Sequence, residues 1–316
     1  MTSFEHLPIL SAADVERALT RDRAAAALTR ALRAGLEPGE DLERSVLDVA
    51  GGQLLLMPSA GAAVGLKAVT LAPGNPGRGL PRIQGAYLLF GAETLELRAI
   101  MDGVAVTNLR TPAVSVAATD PLLTRFTRPI ELVVFGAGPQ AVGHVDAIRA
   151  IGSVEPADVT YVVRRPDRAR EQLPPHATVV AADSPEVPVR LGRAQVVVCA
   201  TSARGPLFDS AHVTDGSVVI AVGSHEPDVR ELDGSLMARA NVVVEDVGTA
   251  LREAGDVVMA IREGRLRADE LIPMADVVRG TRTLAPDRTA VFKSVGMSWQ
   301  DLVVAEEIVE QHLRGR

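Results

Sequence analysis

The chain has 316 residues, enough for two domains with separate cores. Its net charge of −7, its lack of basic runs and its 3% aromatic content exclude a nucleic-acid surface built on cations or stacked bases. Hydrophobic residues reach 47% but fall in short runs, so no membrane span is expected. The single cysteine, Cys199, rules out an internal disulfide and sits in an apolar run as core filler. Residues Met1–His6 lack the basic-then-apolar layout of a signal peptide, and a cytoplasmic protein is expected. No Cys, His and carboxylate cluster has metal-ligand spacing, so no metal is expected.

From Leu10 to about Ala34 the pattern is helical, with Ser11 as cap and Asp14 three residues on. Between Gly51 and Val106 the character changes. Short segments (Gln53–Met57, Val64–Val69, Ala86–Phe90, Leu95–Ile100) separated by Pro and Gly turns read as an antiparallel or mixed sheet. Leu109–Leu123 reads as a helix, with Arg110 near its start, and Arg125–Pro129 as a hinge.

Next comes the most informative stretch. The apolar run Glu131–Phe135 reads as a strand buried on both faces, and it breaks at Gly136-x-Gly138-x-x-Ala141 before a helical segment. Strand, glycine turn and helix are the context a dinucleotide fingerprint requires. Gly136 makes the turn, Gly138 admits a pyrophosphate, Ala141 allows close packing, and the helix N-terminus beginning Pro139-Gln140 offers N–H groups to the anion.

Strands and helices then alternate to about Asp246, with strands at Asp158–Val163, Thr178–Ala181, Gln195–Ala200, Ser217–Ala221 and Asn241–Glu245. That alternation implies a parallel sheet with right-handed crossovers. Thr289–Phe292 reads as a further strand and Asp301–Arg314 as an amphipathic helix. The expected fold is α/β: a Rossmann-type, doubly wound parallel sheet (126–288) inserted into a second α/β domain made of 1–125 and 289–316.

At the tip of the second nucleotide strand stand Arg164 and Arg165, with no acid there to bind a ribose 2′-OH. Guanidinium groups match phosphate oxygens, so NADP is preferred and NAD remains open; a solvated basic loop is the plainer reading. Ahead of this domain lie three cations, Arg44, Lys67 and Arg110. Lys67 interrupts an apolar strand, which suits either an edge strand facing solvent or a carboxylate site.

The segments Leu56-Met57-Pro58, Gly85–Tyr87, Ile100–Ala113 with its Asp-Gly and Thr-x-x-Arg-Thr block, Gly136–Ala141, Glu231–Asp233, Lys293–Gly296 and Gln300–Leu302 carry, in order and over essentially the whole chain, a resemblance to the ornithine cyclodeaminase/mu-crystallin family. It implies a homodimer, a Rossmann domain carrying NAD or NADP, and a small amino- or imino-acid substrate. By position it implies that Arg44, Lys67 and Arg110, with Met57, hold the substrate, Lys67 also moving a proton. It implies that Thr111 lies near the cofactor phosphates and Arg165 at the ribose end. Thr201 and Ser202 would border ribose and nicotinamide, and Val222 completes the cofactor set.

Two positions depart from the ornithine subgroup: His225 stands where an aspartate engages the substrate amine, and Leu55 where a glutamate stands. Both argue against ornithine cyclisation. His225 follows a central strand, where ligands of doubly wound sheets bind, and an imidazole titrates near neutrality, so it is a second candidate proton carrier. Asp228, Glu231 and Asp233 read as turn and helix-start carboxylates. The preferred function is hydride transfer between a nicotinamide and an α-imino or α-amino acid. The alternatives are a cyclodeaminase using NAD catalytically, and a nucleotide- and ligand-binding protein of the mu-crystallin type.

Overall fold

The computed structural model describes residues 6–151 and 153–314. The stretch read above for a signal peptide therefore lies, apart from His6, outside the described residues. The chain forms two compact units: the residues up to Val114 together with those from Met297 onward, and Ser115–Gly296.

The first unit starts with strand β1 (Ile9–Leu10), then helices α1 (Ala12–Ala18) and α2 (Arg21–Arg33). The helical stretch expected from Leu10 to about Ala34 is made of two helices, because Leu19 takes an extended backbone that ends α1. The expected cap is present: Ser11 Oγ accepts the Asp14 N–H, and the Asp14 carboxylate accepts the Ser11 N–H at 2.9 Å.

Five more strands follow: β2 (Ser45–Val49), β3 (Gly52–Ala60), β4 (Val64–Leu71), β5 (Ile83–Phe90) and β6 (Leu97–Asp102). The sheet order is β1-β6-β5-β4-β3-β2, antiparallel throughout except for the parallel β1–β6 pair. Helix α3 (Gly103–Leu123) begins six residues before the expected start at Leu109. Asp102 explains this, since its Oδ1 accepts the N–H groups of Val104 and Ala105 and caps the first turn. Arg110 therefore lies well inside a helix rather than at its start.

The second unit carries eight strands: β7 (Ile130–Phe135), β8 (Pro156–Val163), β9 (Thr178–Ala181), β10 (Val196–Cys199), β11 (Val218–Ala221), β12 (Asn241–Val244), β13 (Ile272–Pro273) and β14 (Ala290–Lys293). All pairings are parallel, in the order β13-β12-β14-β11-β10-β7-β8-β9. The direction of winding reverses between β7 and β10, the switch point where such sheets bind nucleotides. Between the strands run α4 (Pro139–Ile151), α5 (Pro166–Arg170), α6 (Glu186–Leu191), α7 (Gly234–Arg239), α8 (Val247–Glu253), α9 (Gly255–Arg262) and α10 (Met274–Arg279).

One expectation is corrected here. The strand at Thr289–Phe292, placed by sequence with the substrate domain, is β14, inserted between β11 and β12 of the parallel sheet. The chain returns to the first unit only at Met297 and ends in helix α11 (Ser298–Arg314), three residues longer at its start than expected. Helix α11 covers the face of the first sheet that carries the buried Leu55, Met57, Lys67, Tyr87 and Leu89.

Candidate active site

In the first unit, Lys67 lies on β4 beside Met57 of β3 and Tyr87 of β5, all three side chains buried. Lys67 is 2% exposed, yet it carries an ammonium, and helix α11 supplies its partner. Its Nζ donates to Asp301 Oδ2 at 2.6 Å. The other carboxylate oxygen, Oδ1, accepts Arg110 Nε at 3.2 Å, and Arg110 Nη1 donates to Gln300 Oε1 at 2.7 Å. One carboxylate thus holds two cations from two elements. Burial pushes the Lys67 ammonium down to about 8, against the pull of Asp301 and with the positive charges of Arg110 and Arg44 acting in the same downward direction. The three expected cations therefore share one electrostatic neighbourhood. Arg44, next to β2, is half-buried, and Thr111 is buried on α3.

Two cations on one carboxylate, with a third beside them, leave a cluster of net positive charge. That is the charge a substrate carboxylate requires. Asp301 and Gln300, which orient the set, were not read from the sequence as site residues. The Gln300-Asp301-Leu302 block was the available signal. Leu55 is buried on β3 with its apolar side chain in the same face, so nothing there replaces a glutamate.

In the second unit, a cleft of about 480 Å³ opens at the carboxyl ends of β7, β8 and β10. Gly136, Gly138, Arg164, Arg165, Thr201 and Ser202 line it, as does Arg168, which the sequence reading missed. Gly136 has φ +114, and a Cβ there would come within 2.5 Å of the Ala200 carbonyl oxygen, so only glycine makes this turn. Pro139, Gln140 and Ala141 form the first turn of α4, and Val222 follows β11, its N–H bonded to the Cys199 carbonyl. A glycine-walled floor, a helix start and three arginines at one end suit the anionic groups of a dinucleotide. The larger groove, about 820 Å³, lies in the first unit against Trp299 and is lined by none of the expected site residues.

His225 is half-buried in the loop after β11. Asp233 caps α7 as expected, accepting the Leu236 N–H at 2.8 Å. Glu231 is not the turn carboxylate expected: it is fully buried and accepts hydrogen bonds from Thr201 and Gly223. Cys199 is buried in β10, and burial pushes its thiol up, away from the thiolate a nucleophile needs. No three His, Cys, Asp or Glu side chains among the described residues are grouped to hold a metal ion.

Similarity to known proteins bears on this arrangement. The chain is 34% identical over 254 residues to Delta(1)-pyrroline-2-carboxylate reductase of Paracoccus denitrificans, covering 78% of this chain and 79% of that one. The solved Delta(1)-pyrroline-2-carboxylate reductase of Thermococcus litoralis, in complex with NADH and L-proline, superposes with a TM-score of 0.87 at 25% identity over 98% of both chains. An archaeal alanine dehydrogenase dimer with bound NAD gives a TM-score of 0.84 at 25% identity, covering 98% of this chain and 97% of that one. The profile of the ornithine cyclodeaminase/mu-crystallin family matches residues 6–316, and the chain belongs to that family.

Proposed function

We propose that the protein is a nicotinamide-dependent reductase of α-imino acids, with cyclic ketimine carboxylates such as Delta(1)-pyrroline-2-carboxylate as the first substrates to test. The observation that carries this reading is the buried pairing of Lys67 and Arg110 on Asp301, with Arg44 nearby, in a family whose relatives are named as imine reductases. Arg110 and Arg44 bind the substrate carboxylate, and Lys67 holds the proton for the imine nitrogen. A reduced nicotinamide in the cleft of the second unit supplies the hydride. His225 is a second proton carrier beside the cofactor loops. The reverse reaction, amino-acid oxidation, uses the same groups with the proton flow inverted.

The cofactor is NADPH in preference to NADH, supported by Arg164, Arg165 and Arg168 at the ribose end of the cleft. The working form is a homodimer. Its support is the second face of the six-stranded sheet, where Leu54, Leu56, Leu66, Leu88 and Phe90 stay half-exposed, continuing to exposed Leu47 and Val49 on β2. A cyclodeaminase has no support at Leu55 or His225. The deciding experiment incubates the purified protein with Delta(1)-pyrroline-2-carboxylate and NADPH or NADH, following loss of reduced-nicotinamide absorbance and formation of proline. Turnover with neither cofactor overturns the reading.

A further inference from the structure

A buried ionic cluster lies behind the two loops that follow β10 and β11. Glu231 and Asp256 are 0% exposed and Lys293 is 1% exposed. The three protons of the Lys293 ammonium have three acceptors: the Ser224 carbonyl at 2.6 Å, Ser224 Oγ at 2.8 Å and Asp256 Oδ2 at 3.0 Å. Asp256 Oδ2 also accepts the Ser224 hydroxyl at 2.7 Å, and its Oδ1 accepts the N–H groups of Glu231 and Leu232, each at 2.8 Å. Glu231 then reaches the loops themselves. Its Oε1 accepts the Thr201 N–H at 2.8 Å and the Thr201 hydroxyl at 2.7 Å, and its Oε2 accepts the Gly223 N–H at 2.7 Å.

The loops are drawn so close that a Cβ on Gly223 would lie 2.2 Å from the Thr201 carbonyl oxygen. Burial pushes the Glu231 carboxyl up while Lys293 pulls it down. For Asp256 the same burial is outweighed by Lys293 and the hydrogen bonds, which hold it below the usual carboxylate range. Two buried carboxylates around one ammonium are costly to desolvate, and an apolar core would fill the same space with less penalty. What apolar residues would not supply is fixed geometry. Apart from the Lys293–Asp256 pair itself, every tether ends on Thr201, Gly223 or Ser224, or on the segment that carries Glu231.

We propose that Glu231, Asp256 and Lys293 are positioning residues that lock the Thr201 loop to the Gly223–Ser224–His225 loop, holding the cofactor's nicotinamide-side contacts and His225 in one fixed arrangement. This rests on the reductase reading above for the role of His225, but not for the locking itself. Glu231→Gln keeps the volume and places an NH2 against one of the three donors, so one tether must break. Ser224→Ala removes the hydroxyl that Lys293 and Asp256 both bond, keeps their direct contact and leaves Glu231 in place.

The test measures, for both variants, the NADPH dissociation constant by fluorescence, kcat and KM for the imino acid, the pH profile of kcat/KM, and the melting temperature. Glu231→Gln is expected to weaken NADPH binding and lower kcat, each by about ten- to 10²-fold, as misplacement of a bound group does, while the protein stays folded at the assay temperature. Ser224→Ala is expected to displace the pH profile more than the nucleotide affinity, because it loosens the residue next to His225. Variants that melt earlier but keep wild-type NADPH affinity, kcat and pH profile overturn the proposal, since a purely structural cluster would behave so. If the wild type reduces no imino acid, the functional reading falls, while the nucleotide titration of Glu231→Gln still decides whether the loops are locked.

Discussion

Lys67 and Asp301 are 234 positions apart in the chain and meet at 2.6 Å with both side chains buried. The contact joins β4 to the first turn of α11, and the same carboxylate reaches Arg110 on α3. The C-terminal helix thus supplies the counter-charge of the buried Lys67 and Arg110 as well as the cover of a sheet. Its carboxylate opposes the burial that pushes the Lys67 ammonium down.

The pH dependence follows from that balance. Burial brings the Lys67 ammonium down to about 8, so below that pH it carries the proton that imine reduction consumes, and above it the proton is lost. The rate of reduction at subsaturating imino acid is expected to fall as pH rises through about 8, and the reverse oxidation to rise over the same interval. Initial rates in both directions between about pH 6.5 and pH 10 check this. A reduction rate that stays level across that interval excludes Lys67 as the donor. Lys67→Met should lower kcat by about 10²-fold or more, the usual contribution of a positioned acid.

Removing the shared anion should do more damage than removing either cation. Asp301→Ala leaves Lys67 and Arg110 buried without their counter-charge, a situation that costs about 3–5 kcal/mol in comparable buried pairs. Chemical denaturation should register the loss. In any protein that remains folded, Lys67 should titrate below about 8, because the pull of Asp301 is gone. Arg110→Ala keeps the Lys67–Asp301 pair, so it should raise KM for the imino acid by about tenfold to 10²-fold, the worth of a charged hydrogen bond. Nucleotide affinity should be retained. A KM unchanged in Arg110→Ala removes it from the carboxylate site.

Much of this was legible in the sequence wherever the signal is local. The run Glu131–Phe135 and its glycine turn name β7 and the floor of the cleft, because an apolar strand and a positive-φ glycine are written in adjacent residues. The Ser11 cap and the Asp233 cap were readable for the same reason. What escaped was long-range pairing. The apolar strand ending at Phe292 carries no mark of its neighbours, so its place between β11 and β12 could not be read. Strand β2 was missed because none of Ser45–Val49 is buried, which leaves no alternation of polar and apolar positions to see. Glu231 looked like a turn carboxylate because its partners, Thr201 and Gly223, lie 30 and 8 positions earlier in the chain.

Cofactor choice should reside in the arginines at the end of β8. Arg165→Ala is expected to weaken NADPH binding by about tenfold to 10²-fold and leave NADH nearly unchanged, because only the 2′-phosphate loses a charged partner. Arg168→Ala should act in the same direction, since Arg168 lines the same end of the cleft one helical turn further on. Fluorescence titration with the two nucleotides measures both. An equal loss for NADH and NADPH would place these arginines at the shared phosphates instead.

Oligomeric state is expected to be decided on the first sheet. Its inner face is sealed by α11, whereas its outer face presents Leu54, Leu56, Leu66, Leu88 and Phe90 half-exposed beside an edge strand whose Val46, Leu47 and Val49 are 47–50% exposed. Apolar side chains on an edge strand left in water are a site for association, and proteins normally cover or charge such an edge. A two-fold pairing through this face would cover the same residues on both copies. Light scattering at micromolar protein should therefore give the mass of a dimer. Leu47→Asp combined with Val49→Asp should shift the population to monomer, because like charges would be brought together across the axis. Neither position carries a residue of the substrate or cofactor sites, so NADPH affinity should persist in the monomer. A wild type that is monomeric at those concentrations, or a double variant that remains dimeric, rules out this face as the interface.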